Sequence, residues 1–257
     1  MGVRVPPSCF EVSRWLDEFL RVNEIEDYSG ALNGLQVAGT RDVRRIGAAT
    51  DACQATIDLA AEADCDLLVV HHGLFWEGAK PLVGPAFKRI QRLIESGLGL
   101  YSSHLPLDIH EEIGNNVLMA SALGMGEVDS FRSTRGSQTV GVIGPRSLSL
   151  EDLAGRVTDV CGSSPMVIAG GPEHVERIAV ITGAGGSMIN DVVCAGADTF
   201  VTGEGSHHTY HEALELGINL VYAGHYATET LGVRALAERV AERFGVEHMF
   251  FDVPTGL

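Results

Sequence analysis

Residues Arg45–Gly73, RIGAATDACQATIDLAAEADCDLLVVHHG, decide the fold because their pattern returns at Arg177–Gly205, RIAVITGAGGSMINDVVCAGADTFVTGEG. Aligned without a gap, the two stretches share Arg45/Arg177, Ile46/Ile178, Thr50/Thr182, Ala52/Ala184, Ile57/Ile189, Ala63/Ala195, Asp66/Asp198, Val69/Val201 and Gly73/Gly205. Ile46–Thr50 and Ile178–Thr182 read as short buried strands, and Leu67–Val70 and Thr199–Thr202 as second strands. About a dozen residues with helical spacing lie between. Each copy is therefore a βαβ unit, for which parallel strands and right-handed crossovers are expected.

The correspondence continues through a helix (Phe87–Glu95 and His208–Leu216) into a third strand opened by Gly97 and Gly217. Each third strand runs into a histidine with an acid four residues on: His104-Leu-Pro-Leu-Asp108 and His225-Tyr-Ala-Thr-Glu229. The expectation is an α/β protein of two related lobes arising from an internal duplication, residues 1–127 and 128–257, with a metal site in the cleft between them. Trp76–Pro85, rich in Gly and Pro, reads as a surface loop, and Asn33-Gly34-Leu35-Gln36 as a tight turn. Ser149-Leu-Glu-Asp152 reads as a helix start of capping-box form.

Bulk properties narrow the function. A chain of 257 residues, 45% hydrophobic, can bury a sizeable core. A formal charge of −16 argues against nucleic acid as a partner, since phosphate binding needs basic surface. An anionic substrate would need local cations to draw it in. Cys9, Cys53, Cys65, Cys161 and Cys194 are odd in number and form no C-x-x-C pair, which argues against both a disulfide framework and a thiolate zinc finger. The start Met1-Gly2-Val3-Arg4-Val5-Pro6-Pro7 has no apolar signal core, and Pro6 stands where a myristoylation signal needs Ser or Thr. No run approaches the length of a membrane span, so a cytoplasmic location without membrane contact is expected.

The chemistry gathers at the carboxyl ends of the expected strands, where parallel α/β sheets bind ligands. His71-His72 follows Leu67–Val70, His104 follows the strand ending near Ser103, and His225 follows Leu220–Ala223. Adjacent strand residues point to opposite faces, so His71 and His72 converge only where the chain leaves the sheet. The i, i+4 spacing puts a histidine and an acid on one helical face. Glu229 is expected to open a helix with the buried stripe Leu231, Ala235, Leu236, Val240 and Phe244. Imidazole with carboxylate suits Zn, Fe, Mn, Co or Ni. His71, His72, His104, Asp108, His225 and Glu229 are thus the candidate ligands of two divalent metal ions. Glu204, at the position equivalent to His72, is a candidate catalytic acid–base or ligand-orienting carboxylate.

Other features read more plainly. His207, His208 and His211 divide between substrate contact and a polar helix face, while His110, His174 and His248 have no comparable setting. Gly183-Ala-Gly-Gly186 has the place of a phosphate cradle but not the full order of a nucleotide fingerprint.

Several motifs together resemble the Nif-three-like or YbgI family, whose members carry the description GTP cyclohydrolase 1 type 2-like. They are Asn33-Gly-Leu-Gln-Val37, His71-His-Gly-Leu-Phe-Trp76, His104–Asp108, Gly114-Asn-Asn116, Thr202-Gly-Glu204 and Ala223-Gly-His-Tyr-Ala-Thr-Glu229. The resemblance runs from about Asp27 to Pro254. It implies two α/β lobes, a dinuclear metal centre and a toroidal homohexamer. His71, His72, Asp108, His225 and Glu229 take the family's ligand places, and His104 is carried over less firmly. The implied activity is ring opening of GTP, or attack on another anionic nucleotide, by metal-activated water. The alternative is a non-catalytic metal-binding protein for storage, delivery or sensing.

Overall fold

The computed structural model describes residues 5–76, 78, 80–133 and 138–257. The start read for signal and myristoylation motifs falls largely on residues 1–4, outside the described residues, as do residues 77 and 79 of the Trp76–Pro85 loop. Two compact units emerge: residues 1–107 with 232–253, and residues 108–231 with 254–257. This differs from the division expected at 127/128. The helix after Gly114 belongs to the second unit, and the chain returns to the first unit after residue 231.

In the first unit, numbered in chain order, α1 (Cys9–Phe19) precedes β1 (Gly34–Val37), β2 (Arg45–Asp51), α2 (Gln54–Glu62), β3 (Leu67–His72), α3 (Gly84–Ser96) and β4 (Gly99–Ser102). The returning chain adds most of α10 (Thr230–Phe244) and β11 (Glu247–Phe250). The sheet order is β1-β4-β3-β2-β11. All neighbours are parallel except the edge pair β1 and β4. The expected turn at Asn33–Gln36 is instead the start of β1, with Gly34 at φ +101° supplying the bend that a side chain would resist. Ala49, Leu68, Val70 and Leu100 from one sheet face pack with Ile57 of α2 and Leu93 of α3. Each such fully buried Leu, Ile or Val side chain contributes about 1.5–3 kcal/mol.

The second unit holds α5 (Asn115–Ala122), β5 (Asp129–Arg132), β6 (Thr139–Ser149), α6 (Leu150–Cys161), β7 (Met166–Ala169), β8 (His174–Ile181), α7 (Ile189–Cys194), β9 (Thr199–Thr202), α8 (Thr209–Leu216), β10 (Asn219–Tyr222) and α9 (His225–Thr228). The short α4 (Leu105–Asp108) carries the chain from one unit to the other. The sheet order is β5-β6-β8-β9-β10-β7, with β8, β9 and β10 parallel and the outer strands antiparallel. Apolar clusters centred on Val180, Val201 and Val221, and on Ala179, Phe200 and Leu220, cover its two faces. Ser149 caps α6, its hydroxyl accepting from the Asp152 N–H.

The matched βαβ stretches share a strut as well as an element order. Asp66 Oδ2 accepts from the backbone N–H of Arg44 (2.8 Å) and Arg45 (3.1 Å), clamping the starts of β2 and β3 together. Asp198 Oδ2 does the same for Glu176 (2.8 Å) and Arg177 (2.9 Å) at β8 and β9. This is the physical content of the Asp66/Asp198 identity.

A cavity of about 440 Å³ opens near this strut in the first unit, lined by Arg41, Arg44, Arg45, Asp64, Asp66 and Glu247 among others. Arg41 is held by Asp64, Asp66 and the Cys65 carbonyl, and Arg45 by Glu247 and the Ala63 carbonyl. These two guanidinium groups are therefore occupied by protein partners.

Two local expectations need correction. β3 runs through His71 and His72 instead of ending at Val70. Its ladder to β4 stops at Val70, whereas the ladder to β2 closes on Asp51 and His72, so the chain leaves the sheet on one side only. In α10 the fully buried positions are Gly232, Val233, Leu236, Ala237 and Val240, while Leu231, Ala235 and Phe244 are only half-buried. The helix begins after Glu229, and its buried stripe is rotated accordingly.

Candidate metal centre

In the first unit three imidazoles meet at the carboxyl ends of β3 and β4. One ligand nitrogen from each of His71, His72 and His104 lies within 4.8 Å of the others. Ring centroids are 4.6 Å apart for His71–His72 and 5.0 Å for His71–His104. The one-sided departure of β3 is what lets consecutive residues approach one target. Trp76 closes over the group, edge-on to His104 at 5.0 Å.

Each ring is fixed by its Nδ1. His71 Nδ1 lies 3.0 Å from the Ser103 carbonyl, His72 Nδ1 2.9 Å from Asp51 Oδ1, and His104 Nδ1 2.8 Å from Asp27 Oδ1. A carbonyl or an ionised carboxylate only accepts, so Nδ1 carries the proton and Nε2 keeps its lone pair. Burial works to raise the Asp27 carboxyl. The His104 imidazole, the Asn33 amide and the Tyr28 N–H together outweigh that and hold it below the ordinary carboxylate range. Asp27 also accepts from the Leu105 N–H, and Asn33 Oδ1 accepts from the His104 N–H. One loop thereby anchors both the backbone and the ring of His104.

In the second unit His225 begins α9, directly after β10 and the left-handed-region Gly224. His225 Nδ1 is 2.7 Å from Glu204 Oε1, and its Nε2 is 3.1 Å from Glu229 Oε2. Glu229 is buried, at 3% exposure. With a carboxylate at each nitrogen, the hydrogen bond to Glu229 foremost, the imidazole is pushed up to about 9 despite the opposing effect of burial. A divalent cation replacing the proton on Nε2 would be matched to the same negative surroundings. Gly183 makes room for this pair: its φ is +64°, and a Cβ there would stand 2.0 Å from Glu229 Oε1.

Asp108, also buried, is held by α5. Asn115 Nδ2 donates to Asp108 Oδ1 at 2.8 Å, and Asn116 Nδ2 donates to the Asp108 carbonyl at 3.0 Å. Gly114 precedes them because a Cβ would lie 2.5–2.6 Å from the carbonyls of His110 and Asp108. Gly-Asn-Asn is therefore a device for presenting Asp108. Pro106 sits in the first turn of α4, where its missing N–H costs nothing.

Four histidines thus hold Nδ1 against an oxygen acceptor, the arrangement that orients imidazole ligands and raises their basicity. The donor set of imidazole nitrogens and buried carboxylates fits Zn, Mn, Fe, Co or Ni. Asp27 and Asp51 were not among the sequence candidates. Asp51 carried a usable signal, an acid at the carboxyl end of a strand, whereas Asp27 lies in an acidic loop with no period or motif to single it out.

The remaining residues separate from these clusters. His207, His208 and His211 are exposed, and His207 and His211 meet edge-on at 6.2 Å. No group of three metal-ligating side chains among the described residues includes them. His110 Nδ1 accepts from the Glu112 and Ile113 N–H groups and shapes a turn. The glycines from Gly183 to Gly186 do not form a phosphate cradle. Their N–H groups already donate, Gly183 to Thr228, Gly185 to Thr202 and Gly186 to the Glu204 carbonyl.

Comparison with known proteins gives the lineage. The profile of the Duf34/NIF3 (NGG1p interacting factor 3) family matches residues 8–256. The chain belongs to the Duf34/NIF3 family. A relative from Deinococcus radiodurans, named GTP cyclohydrolase 1 type 2 homolog, is 43% identical over 249 residues, covering 96% of this chain and 94% of its own. The crystal structure of TTHA1606 from Thermus thermophilus superposes with a TM-score of 0.90 at 42% identity, covering 97% of this chain and all of that one. A structure of protein ybgI, described as of unknown function, gives the same TM-score at 36% identity and the same coverage. The mixed α/β fold of this Duf34/NIF3 chain is thus shared along nearly its whole length. No helix among its described residues is long and apolar enough to cross a membrane.

Proposed function

We propose that this Duf34/NIF3 protein is a metal-dependent hydrolase that binds two divalent cations through His71, His72, His104, Asp108, His225 and Glu229. The observation that carries the reading is the shared posture of the four histidines, each with Nδ1 hydrogen-bonded to an oxygen, which makes Nε2 the candidate ligand atom. Bound cations supply Lewis acidity and lower the pKa of water. The chain's own part is to aim the imidazoles through Asp27, Asp51, Glu204 and the Ser103 carbonyl, to hold Asp108 through Asn115, and to keep Glu229 buried. Glu204, exposed and hydrogen-bonded to His225, is positioned to accept and return a proton at Nδ1.

The names borne by the relatives support a nucleotide substrate, and ring opening of GTP is the reaction inferred. A chain of charge −16 needs the cations to attract such an anion. We read the repeated βαβ stretches as an internal duplication, the assembly as a homohexamer and the location as cytoplasmic. The test is hydrolysis of GTP by metal-loaded protein, with Glu229→Ala and Asp108→Asn compared at equal folding. Metal-dependent turnover lost in both variants supports the hydrolase. Stoichiometric, reversible metal uptake with no turnover across GTP and other nucleotides would replace it with a storage, delivery or sensing role.

A further inference from the structure

Arg146 and Arg156 of the second unit bring two guanidinium groups to one turn. Gly124 follows the end of α5 at φ +72°, and a Cβ there would stand 3.3 Å from Arg146 Cζ and Nη2 and 3.5 Å from Arg156 Nη1. Arg146 arrives from β6, whose pairing with β8 shifts register between Pro145 and Leu148. Such an irregularity re-aims the side chains it carries. Arg156 arrives from α6, where it is exposed, while Arg146 is half-buried.

Neither side chain makes an ion pair or a hydrogen bond with any described residue, although the chain carries 34 acids against 18 Lys and Arg. Other arginines are taken up by carboxylates, Arg41 by Asp64 and Asp66, Arg45 by Glu247 and Arg92 by Asp58. Asp152, one turn before Arg156 on α6, accepts from the Ser149 hydroxyl instead. The last carbonyls of α5 do not use the guanidinium groups either: Met119, Ala120 and Ser121 accept from the N–H groups of Leu123, Met125 and Gly124. Arg146 Nε is sealed from water without a partner. A buried donor on a charged group is costly to leave unmatched, and folded proteins rarely do so. Two like charges at one turn add repulsion to that cost.

Each guanidinium offers a planar fork of N–H donors and a full positive charge. One fork already satisfies the two oxygens of a carboxylate. A tetrahedral dianion takes a fork from each side and balances both cations. In a chain of net charge −16, such an anion binds only where cations converge locally. We propose that Arg146 and Arg156 form a binding site for a phosphate group, free or esterified. The site lies at the end of α5 opposite to Asn115, which holds Asp108; the eight residues between span about 12 Å. It is independent of the hydrolase reading.

The test is calorimetric titration of the full, metal-loaded chain with inorganic phosphate at fixed ionic strength, beside Arg146→Gln and Arg156→Gln. The unsubstituted protein is expected to bind phosphate, less tightly as salt rises, and each substitution to weaken it at least about tenfold with metal content unchanged. Arg146→Lys, which keeps the charge and loses the fork, should fall between. Arg156→Gln alters an exposed side chain and serves alone should Arg146→Gln not fold. A parallel titration with glycerol 2-phosphate separates the sources: its binding supports an esterified occupant, and inorganic phosphate alone supports the free ion. No binding to the unsubstituted protein, or undiminished binding in either folded variant, overturns the proposal. Binding that survives in the variants and vanishes on chelation would put the phosphate on the cations instead. Binding of poly-glutamate without phosphate would also overturn it and make the turn a docking point for an acidic protein.

Discussion

Asp27 and His104 stand 77 residues apart in the chain and 2.8 Å apart in space, carboxylate to imidazole Nδ1, with side chains only 5% and 12% exposed. The pair fixes which nitrogen of His104 keeps a lone pair, and the same carboxylate ties down the Leu105 N–H.

Asp27→Asn should therefore keep the fold and weaken metal binding. Losing an orienting carboxylate behind a histidine ligand typically costs about 10–100-fold in affinity. Competition against a chromophoric chelator measures it. Unchanged affinity in Asp27→Asn would mean that His104 is not a ligand.

Metal-free protein should show a pH dependence of definite sign. His225, raised to about 9 by Glu229 and Glu204, gains its proton more readily folded than unfolded. The stabilisation is complete below the unfolded value of about 6.5 and is lost as pH rises through about 9. Metal must displace that proton, so metal affinity moves the opposite way and grows with pH up to about 9. The gap in Tm between metal-loaded and metal-free protein should widen from pH 6.5 to 9. An NMR titration of His225 in chelator-treated protein checks the assignment directly.

Gly183→Ala should damage the site without touching a ligand. At φ +64° an alanine costs about 1–2 kcal/mol, and its Cβ would displace Glu229 Oε1. Lower thermal stability together with reduced metal content is expected. Full metal content would show that Glu229 can move aside freely.

Cysteine reactivity should follow burial. Burial pushes the Cys65 thiol up to about 11, and Cys9 and Cys65 are both buried, whereas Cys194 is exposed. In native protein a thiol reagent should label Cys194 rapidly at pH 8 and leave Cys9 and Cys65 until denaturant is added. Rapid labelling of Cys65 would show that the α2–β3 corner opens readily.

The parallel core was legible because it rests on local pattern. Leu67–Val70 and Thr199–Thr202 are apolar runs bounded by polar turns, and the repeat doubles the signal. The ligands were legible because they follow those runs. What escaped depends on long-range pairing. β11 joins the sheet only through its pairing with β2, and β1 is too short and glycine-led to outweigh a turn. The residues behind the ligands escaped for the same reason. Asp27 acquires a role only through a histidine 77 residues away.

The most direct test of the central claim is elemental analysis of protein purified without chelator or affinity tag, before and after incubation with Zn, Mn or Fe. Two divalent ions per chain, falling in His71→Ala and Glu229→Ala variants that remain folded, is the expected result. Fewer than about one ion per chain, unrestored by any added metal, would contradict it.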